Sequence, residues 1–454
     1  MYKAFTASAD TPARLHFFRP ADWEEAGDSL QGPVLAQAKA TAFEGASGEM
    51  AIVAGEDGAI TDVLFGLGSA QDALAVAALS AKLPEGDYEV ARDAGLSLAH
   101  IAAGWADGAY RFDRYLKKKA TPPRLVIGDG DDAAALDREA EAVALLRDLV
   151  NTPAQHMGPA GIETAVRTLA EDHGADLSVI TGDDLLKANY PMVHAVGRAA
   201  PEAPRFIELS WGNEDHPELA LVGKGVAFDT GGLNLKTGSG MKLMKKDMGG
   251  SAHVIALAKL VMSSKLPVRL KLYVPAVENS IGRDAFRPSD ILSTRKGLTV
   301  EIDNTDAEGR LILGDALTRA SESDPDLLID FATLTGAARV ALGPDLAPFY
   351  TDDGDLADAI WAAGTVSGDP VWRMPLWDPY KSMLSSSIAD IQNSGGGGMA
   401  GSITAAVFLK QFVDARRWVH LDVWAWRKSK YGRPEGAAAC GLRSIWTMVR
   451  TRYA

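Results

Sequence analysis

One cysteine, Cys440, occurs in 454 residues, so the chain can form no internal disulfide and no cysteine-based metal cluster. No stretch comes near the roughly 20 apolar residues that a bilayer-spanning helix needs. The beginning, Met1-Tyr2-Lys3-Ala4-Phe5-Thr6, lacks the apolar core of a secretory signal, and a cytoplasmic location is expected. Positive charge is in deficit: the net charge of -14 argues against general attraction to DNA or anionic lipid, while a local basic patch stays open. Internal repeats are absent. What is present, 47% hydrophobic and 23% charged residues, is the composition of a soluble globular protein, long enough for two domains.

Residues 1–130 alternate short apolar strands with Ala-rich helical stretches. Strands are expected at Met50–Ala54 and Arg124–Ile127, and a helix from Asp72 to Leu83. This is an α/β pattern without a ligand cluster. Lys117-Lys118-Lys119 reads as a solvated loop, because the run is short and two prolines follow closely. A boundary is expected at 128–132. A linker helix over 131–150 follows, with Leu136, Ala140, Val143, Leu146 and Val150 on one stripe.

In the third part, 151–454, strand and helix alternate more clearly. Buried strands are expected at 177–180, 206–209, 219–222, 268–274, 298–302, 327–329 and 419–423, and helices near 250–264, 310–322 and 402–414. The fold class that results is α/β: a smaller N-terminal α/β domain and a larger C-terminal α/β domain with a mostly parallel sheet flanked by helices. Such sheets collect ligands beyond the carboxyl ends of their strands. Lys224 directly follows one expected strand, and Asp306 and Glu308 lie just past another. Gly395–Gly398 reads as a flexible loop.

Asp229, Asp247, Asp306 and Glu308 stand in Gly-rich, otherwise apolar sequence, where unpaired charge is costly to bury. No histidine or cysteine lies among them. Oxygen-rich sets of this kind suit paired divalent ions, Mg, Mn or Zn. Lys224 can join such a set only as the neutral amine, which requires a strongly depressed pKa. Lys236 is a candidate to stabilise an oxyanion. Arg310 could hold an anion, and without a histidine the general base must be a carboxylate or a bound anion. Taken singly, each has an ordinary reading: an Asp beside Gly-Gly is commonly a turn residue, and Asp306, Glu308 and Arg310 could be a surface ion-pair cluster.

The string Asn304-Thr305-Asp306-Ala307-Glu308-Gly309-Arg310-Leu311 resembles the signature of the leucyl (cytosol) aminopeptidase family, the M17 metallopeptidases. Agreement extends through Asn151-Thr152-Pro153, Val222–Gly225, Phe228-Asp229, Asp247–Gly250, Pro275–Asn279, Arg287-Pro288, Ala332–Ala337 and Ser402–Ala406, covering about 140–454. The first 130 residues match only loosely, mainly around Tyr110–Asp113.

The resemblance implies an aminopeptidase that removes N-terminal residues from peptides through a hydroxide shared by two metal ions, Zn or Mn, with Mg or Co as alternatives. Lys224, Asp229, Asp247 and Glu308 would hold one ion and Asp229, Asp306 and Glu308 the other. Lys236 and Arg310 would be the catalytic pair, with a bicarbonate at Arg310 as base. Met244, Thr333, Leu334 and Gly336 would bind substrate, although Met244 alone reads equally as core packing. A homohexamer with active sites facing an interior cavity is also implied; no membrane partner is expected, and the acidic balance counts against nucleic acid. The family's usual Asp-Ser-Gly-Gly is Asp229-Thr230-Gly231-Gly232 here, Leu233-Asn234-Leu235 is bulkier than expected, and the 394–399 loop carries glycines in place of an arginine or another polar residue. These departures bear on side-chain preference. The rival readings are a different two-metal hydrolase, such as a phosphoesterase, and a non-catalytic binding or DNA-associated scaffold.

Overall fold

The computed structural model describes residues 3–26, 30–70, 72–395, 397–428 and 435–454. The chain divides into two units, one of residues 1–144 with 427–436 and one of residues 145–426 with 437–454. The division falls within a single helix, Asp131–Asn151.

In the first unit a six-stranded sheet runs in the order Phe5–Thr6, Arg124–Val126, Asp87–Arg92, Ala13–Phe18, Ile60–Gly66, Met50–Ala54. All pairs are parallel except the last, which is antiparallel. Leu15, Phe17, Val63 and Phe65 are fully buried in its core with Trp105. The helix expected over Asp72–Leu83 forms only at Ala77–Ser80, between turns. The helix Leu98–Ala109 lies so close that a Cβ on Gly108 would meet the Ala77 carbonyl oxygen at 2.1 Å. The Lys117–Lys119 segment is exposed and irregular, as expected.

The second unit carries, among its described residues, a nine-stranded sheet. Its strands are β1 (Asp176–Thr181), β2 (Arg205–Trp211), β3 (Glu218–Gly223), β4 (Gly225–Asp229), β5 (Arg269–Asn279), β6 (Leu327–Ala332), β7 (Ala347–Tyr350), β8 (Val371–Arg373) and β9 (Trp418–Asp422). Their order is β8-β7-β9-β6-β3-β5-β2-β1, with β4 pairing the end of β5. The central run β9-β6-β3-β5 is parallel; β7 joins it antiparallel on one side and β2 on the other. β3, β6 and β9 are buried along their whole length, which is why they read as continuous apolar runs.

Helix α1 (Gly249–Ser263) packs on β3, β5 and β6 with the helices Pro159–His173 and Leu442–Tyr453. Helix α2 (Gly309–Ser321) packs with Pro191–Gly197 and Gly401–Lys410, where Ala220, Val222, Tyr273 and Leu328 meet Leu313 and Phe408. Among the described residues no helix is long and apolar enough to cross a membrane.

Several expectations need correction. The 177–180 strand is not buried, because β1 is the sheet's edge and alternates exposed and half-buried residues. The 298–302 strand, Thr299–Glu301, belongs to a separate three-stranded sheet with Ile291–Ser293 and Ile391–Gln392. Asp306 and Glu308 therefore do not follow a strand of the central sheet. The 402–414 helix ends at Lys410, closed by tight turns from Gln411 to Phe408 and from Phe412 to Leu409. The glycine loop at 395–398 includes Gly396, which lies outside the described residues.

Candidate active site

Two loops and a break between strands assemble the charged cluster. β3 stops at Gly223, and Lys224 interrupts the ladder: its N–H donates to the Phe331 carbonyl (3.0 Å) and its carbonyl accepts from Ser251 (2.8 Å). β4 then runs to Asp229. Gly231 and Gly232, with φ of 87° and 61°, turn the chain sharply after it. The second loop, 303–308, leads into the first turn of α2 and is tied to the first. Thr305 donates its hydroxyl to the Gly231 carbonyl (2.6 Å) and its N–H to Asn234 Oδ1 (2.8 Å), and the Asn234 N–H donates back to Thr305 Oγ1 (2.8 Å).

These ties bring Asp229, Asp306 and Glu308 together, each offering an oxygen within 4.8 Å of the others'. Asp229 and Glu308 are buried and Asp306 is partly open. Lys224 Nζ lies 2.6 Å from Asp247 Oδ2, 3.0 Å from Glu308 Oε1 and 3.0 Å from the Thr333 carbonyl oxygen. Lys236 Nζ lies 2.8 Å from Asp229 Oδ2 and also pairs with Asp306. Thr333 donates its hydroxyl to Asp247 Oδ1 (2.9 Å).

Burial opposes the charge on both lysines, but the carboxylates prevail. Asp247, Glu308 and Asp229 hold the Lys224 ammonium above its ordinary value, and Asp229, Glu308 and Asp306 do the same for Lys236. Burial, then the Asp229 charge, pushes Asp306 and Glu308 above the usual carboxylate range. The cluster thus carries more negative charge than its buried setting tolerates, and the two ammonium groups stand where cations are wanted. The Lys224 amine, expected from the sequence to be neutral, keeps its proton here, because the surrounding carboxylates outweigh burial.

The donors fit a pair of divalent ions. The set is rich in oxygen with one amine, and Glu308 Oε2 is buried without a hydrogen-bond partner among the described residues. Arg310, on the first turn of α2, donates from Nη1 to the Asn393 carbonyl (2.8 Å), and its Nε is buried without a hydrogen-bond partner among the described residues. Burial pulls its guanidinium down to about 10 against Glu308 and Asp422.

Lys224, Asp229, Asp247, Asp306, Glu308, Lys236 and Thr333 form one network. Leu334 and Gly336 lie beside it at the carboxyl end of β6, and the Gly336 side position is open. Met244 is buried at the start of the 3-10 turn Met244–Met248 that carries Asp247.

Sequence reasoning missed three positioning residues. Asn279 donates to Asp229 Oδ1 (2.8 Å) and the Thr305 carbonyl (3.0 Å). Asn393 accepts from the Asp303 and Asn304 N–H groups and donates to the Asn304 carbonyl, shaping the 303–307 loop. Asp422 accepts from the N–H groups of Leu334 (3.0 Å) and Thr335 (3.1 Å). The available signals were Asn279 at the end of the Pro275–Asn279 string and an acid closing the Val419–Asp422 strand.

The family model described as the cytosol aminopeptidase family, catalytic domain, matches residues 144–446, and that of the M17 aminopeptidase N-terminal domain matches 15–128. A Stenotrophomonas maltophilia protein named "Probable cytosol aminopeptidase" is 42% identical over 368 residues, 79% of this chain and 74% of its own length. A Chlorobaculum tepidum protein of the same name is 38% identical over 378 residues, 78% of this chain and 75% of its own. Among solved structures, the cytosol aminopeptidase of Coxiella burnetii superposes with a TM-score of 0.92 at 39% identity, covering 98% of both chains. The bottromycin maturation enzyme BotP, in complex with Mn, gives 0.86 at 32% identity over 98% of this chain and 100% of its own. With both of its units matched, the chain belongs to the cytosol aminopeptidase family, M17, and is an aminopeptidase.

Proposed function

We propose that this aminopeptidase uses two divalent ions, Zn or Mn by preference, held by Lys224, Asp229, Asp247, Asp306 and Glu308. The observation that carries this reading is the convergence of the Asp229, Asp306 and Glu308 oxygens within 4.8 Å, with Glu308 Oε2 buried and unpartnered. The relative solved with Mn adds support. When bound, such a pair supplies a water of lowered pKa and polarises the scissile carbonyl.

The chain's own groups do the rest. Lys236 presents a partly buried ammonium whose charge is held on, suited to a developing oxyanion. Arg310, with Nε free, would hold a bicarbonate that takes the proton of the attacking water. Thr333, Leu334 and Gly336 would line the cleft for the peptide's N-terminal residue, with the Leu334 N–H fixed by Asp422. Met244 would sit at that residue's pocket. The leucyl-type preference, homohexameric assembly and cytoplasmic location belong to the same reading and rest on family membership.

The test is turnover of leucine anilide by protein stripped of metal and reloaded with Zn or Mn, beside a phosphate ester. Anilide turnover restored by metal is expected. Ester turnover without anilide turnover would overturn the reading.

A further inference from the structure

Trp424 has two basic groups against its ring. Lys246 Nζ stands 4.2 Å from the centre of its ring, and the Arg339 guanidinium carbon 4.0 Å. Both separations are those of favourable cation–π contacts. The three residues come from three elements. Lys246 is on the 3-10 turn Met244–Met248, Arg339 is on helix α3 (Gly336–Leu342), and Trp424 follows β9.

Those elements meet at the carboxyl ends of β6 and β9. The Val423 N–H donates to the Ala332 carbonyl (2.8 Å), which sets 423–425 alongside Thr333 and Leu334. The approach is tight: a Cβ on Gly249 would stand 2.4 Å from the Ala425 Cβ and 2.9 Å from Thr333 Cγ2. Trp424 therefore spans the gap between the Met244 turn and the Gly336 helix, the two elements that flank the expected substrate cleft.

Burial pulls the Lys246 ammonium down to about 8, so the exposed Arg339 carries most of the positive charge there. No carboxylate among the described residues pairs with Arg339, which is exposed, and the nearest carboxylate oxygen to Lys246 is Asp247 Oδ1 at 3.8 Å. Asp247 is already engaged by Lys224 at 2.6 Å. With cations against its ring, the indole is poorly placed to stack on a substrate side chain.

We propose that Lys246, Trp424 and Arg339 form a cationic wall of the substrate cleft that selects peptides carrying a carboxylate near the scissile bond. Arg339 is the contacting group, Trp424 holds its guanidinium in place, and Lys246 packs against the same indole. The inference rests on the aminopeptidase site being where the preceding section puts it, and it deepens that reading by naming a substrate class. The carboxylate has two sources, the side chain of an N-terminal Asp or Glu and the terminal carboxylate of a dipeptide.

The test compares kcat/KM for the metal-loaded protein and its Arg339→Gln and Trp424→Leu variants. One arm uses glutamate, glutamine and leucine anilides, which have no terminal carboxylate. The other uses Leu-Ala and its amide. Arg339→Gln should lower the Glu:Gln ratio or the dipeptide:amide ratio by about 1.5-fold to fivefold, the scale of an exposed ion pair. The affected ratio identifies the source. Trp424→Leu should lower the same ratio, and in the parent protein that ratio should fall as salt is raised, which a purely structural role would not produce. Leucine anilide turnover with both ratios unmoved by Arg339→Gln overturns the inference alone. No turnover of any anilide or peptide overturns the function reading and this inference with it.

Discussion

Lys224 reaches its carboxylates across the bare face of Gly309: a Cβ on that glycine would stand 2.4 Å from the lysine Cε and 2.7 Å from Nζ. The contact explains why a glycine separates Glu308 from Arg310 at the first turn of α2. Gly309→Ala should push the Lys224 amine away from Asp247 and Glu308. Displaced positioning groups at metal sites commonly cost about 10–100-fold in activity or metal affinity. Metal titration and anilide turnover should both fall in that range while circular dichroism is unchanged. Wild-type values in the alanine variant would mean that Lys224 has slack the packing does not show.

Asp306 is the most open of the three convergent carboxylates and borders the loop tied down by Asn393 and Thr305. Asp306→Ala should abolish turnover and lower bound metal without unfolding the chain, because it removes a ligand and leaves those loop ties in place. Elemental analysis alongside a melting curve checks this. Turnover retained in the variant would contradict the ligand assignment.

Lys236 separates chemistry from metal retention. Its ammonium touches Asp229 and Asp306 but lies off the Lys224–Asp247 side of the cluster. Lys236→Ala should cut kcat by about 10²–10³, the cost of a lost oxyanion donor, with metal content intact. Loss of metal in step with rate would move Lys236 from the catalytic to the ligand-positioning role.

The central strands were legible because burial on both faces writes itself as continuous apolar sequence, as in Leu219–Val222 and Leu327–Ile329. The charged cluster was legible because four acids and two lysines stand out in Gly-rich apolar surroundings. The positioning residues were not legible, because their roles follow from strand register. Asn279 meets Asp229 only because β4 and β5 pair at those positions, and Asp422 lies beside Ala332 only through the β6–β9 ladder. The 298–302 strand misled for a related reason: its apolar run packs in a side sheet, and nothing local distinguishes that from the central one. The clamp on Trp424 joins residues 178 apart at its extremes, Lys246 and Trp424, which no local pattern could pair.

A pH dependence of stability should come from Asp315, a fully buried residue of α2 remote from the metal ligands. Its Oδ2 accepts from the N–H groups of Met192 (2.8 Å) and Val193 (3.4 Å), and its Oδ1 from that of Arg295 (2.8 Å). Burial pushes its carboxyl up to about 7 against the pull of those donors. An Asp in the unfolded chain titrates near about 3.9, so the folded state holds this proton more tightly. The resulting stabilisation is fully present below about pH 4 and is lost as pH rises through about 7. Asp315→Asn cannot lose a proton, and its amide N–H turned toward backbone donors should cost about 1–3 kcal/mol. Urea unfolding at steps from about pH 4.5 to about pH 7.5 should show the parent losing stability relative to the variant as pH rises. Parallel profiles would mean that the three N–H donors outweigh burial and that Asp315 is ionised throughout.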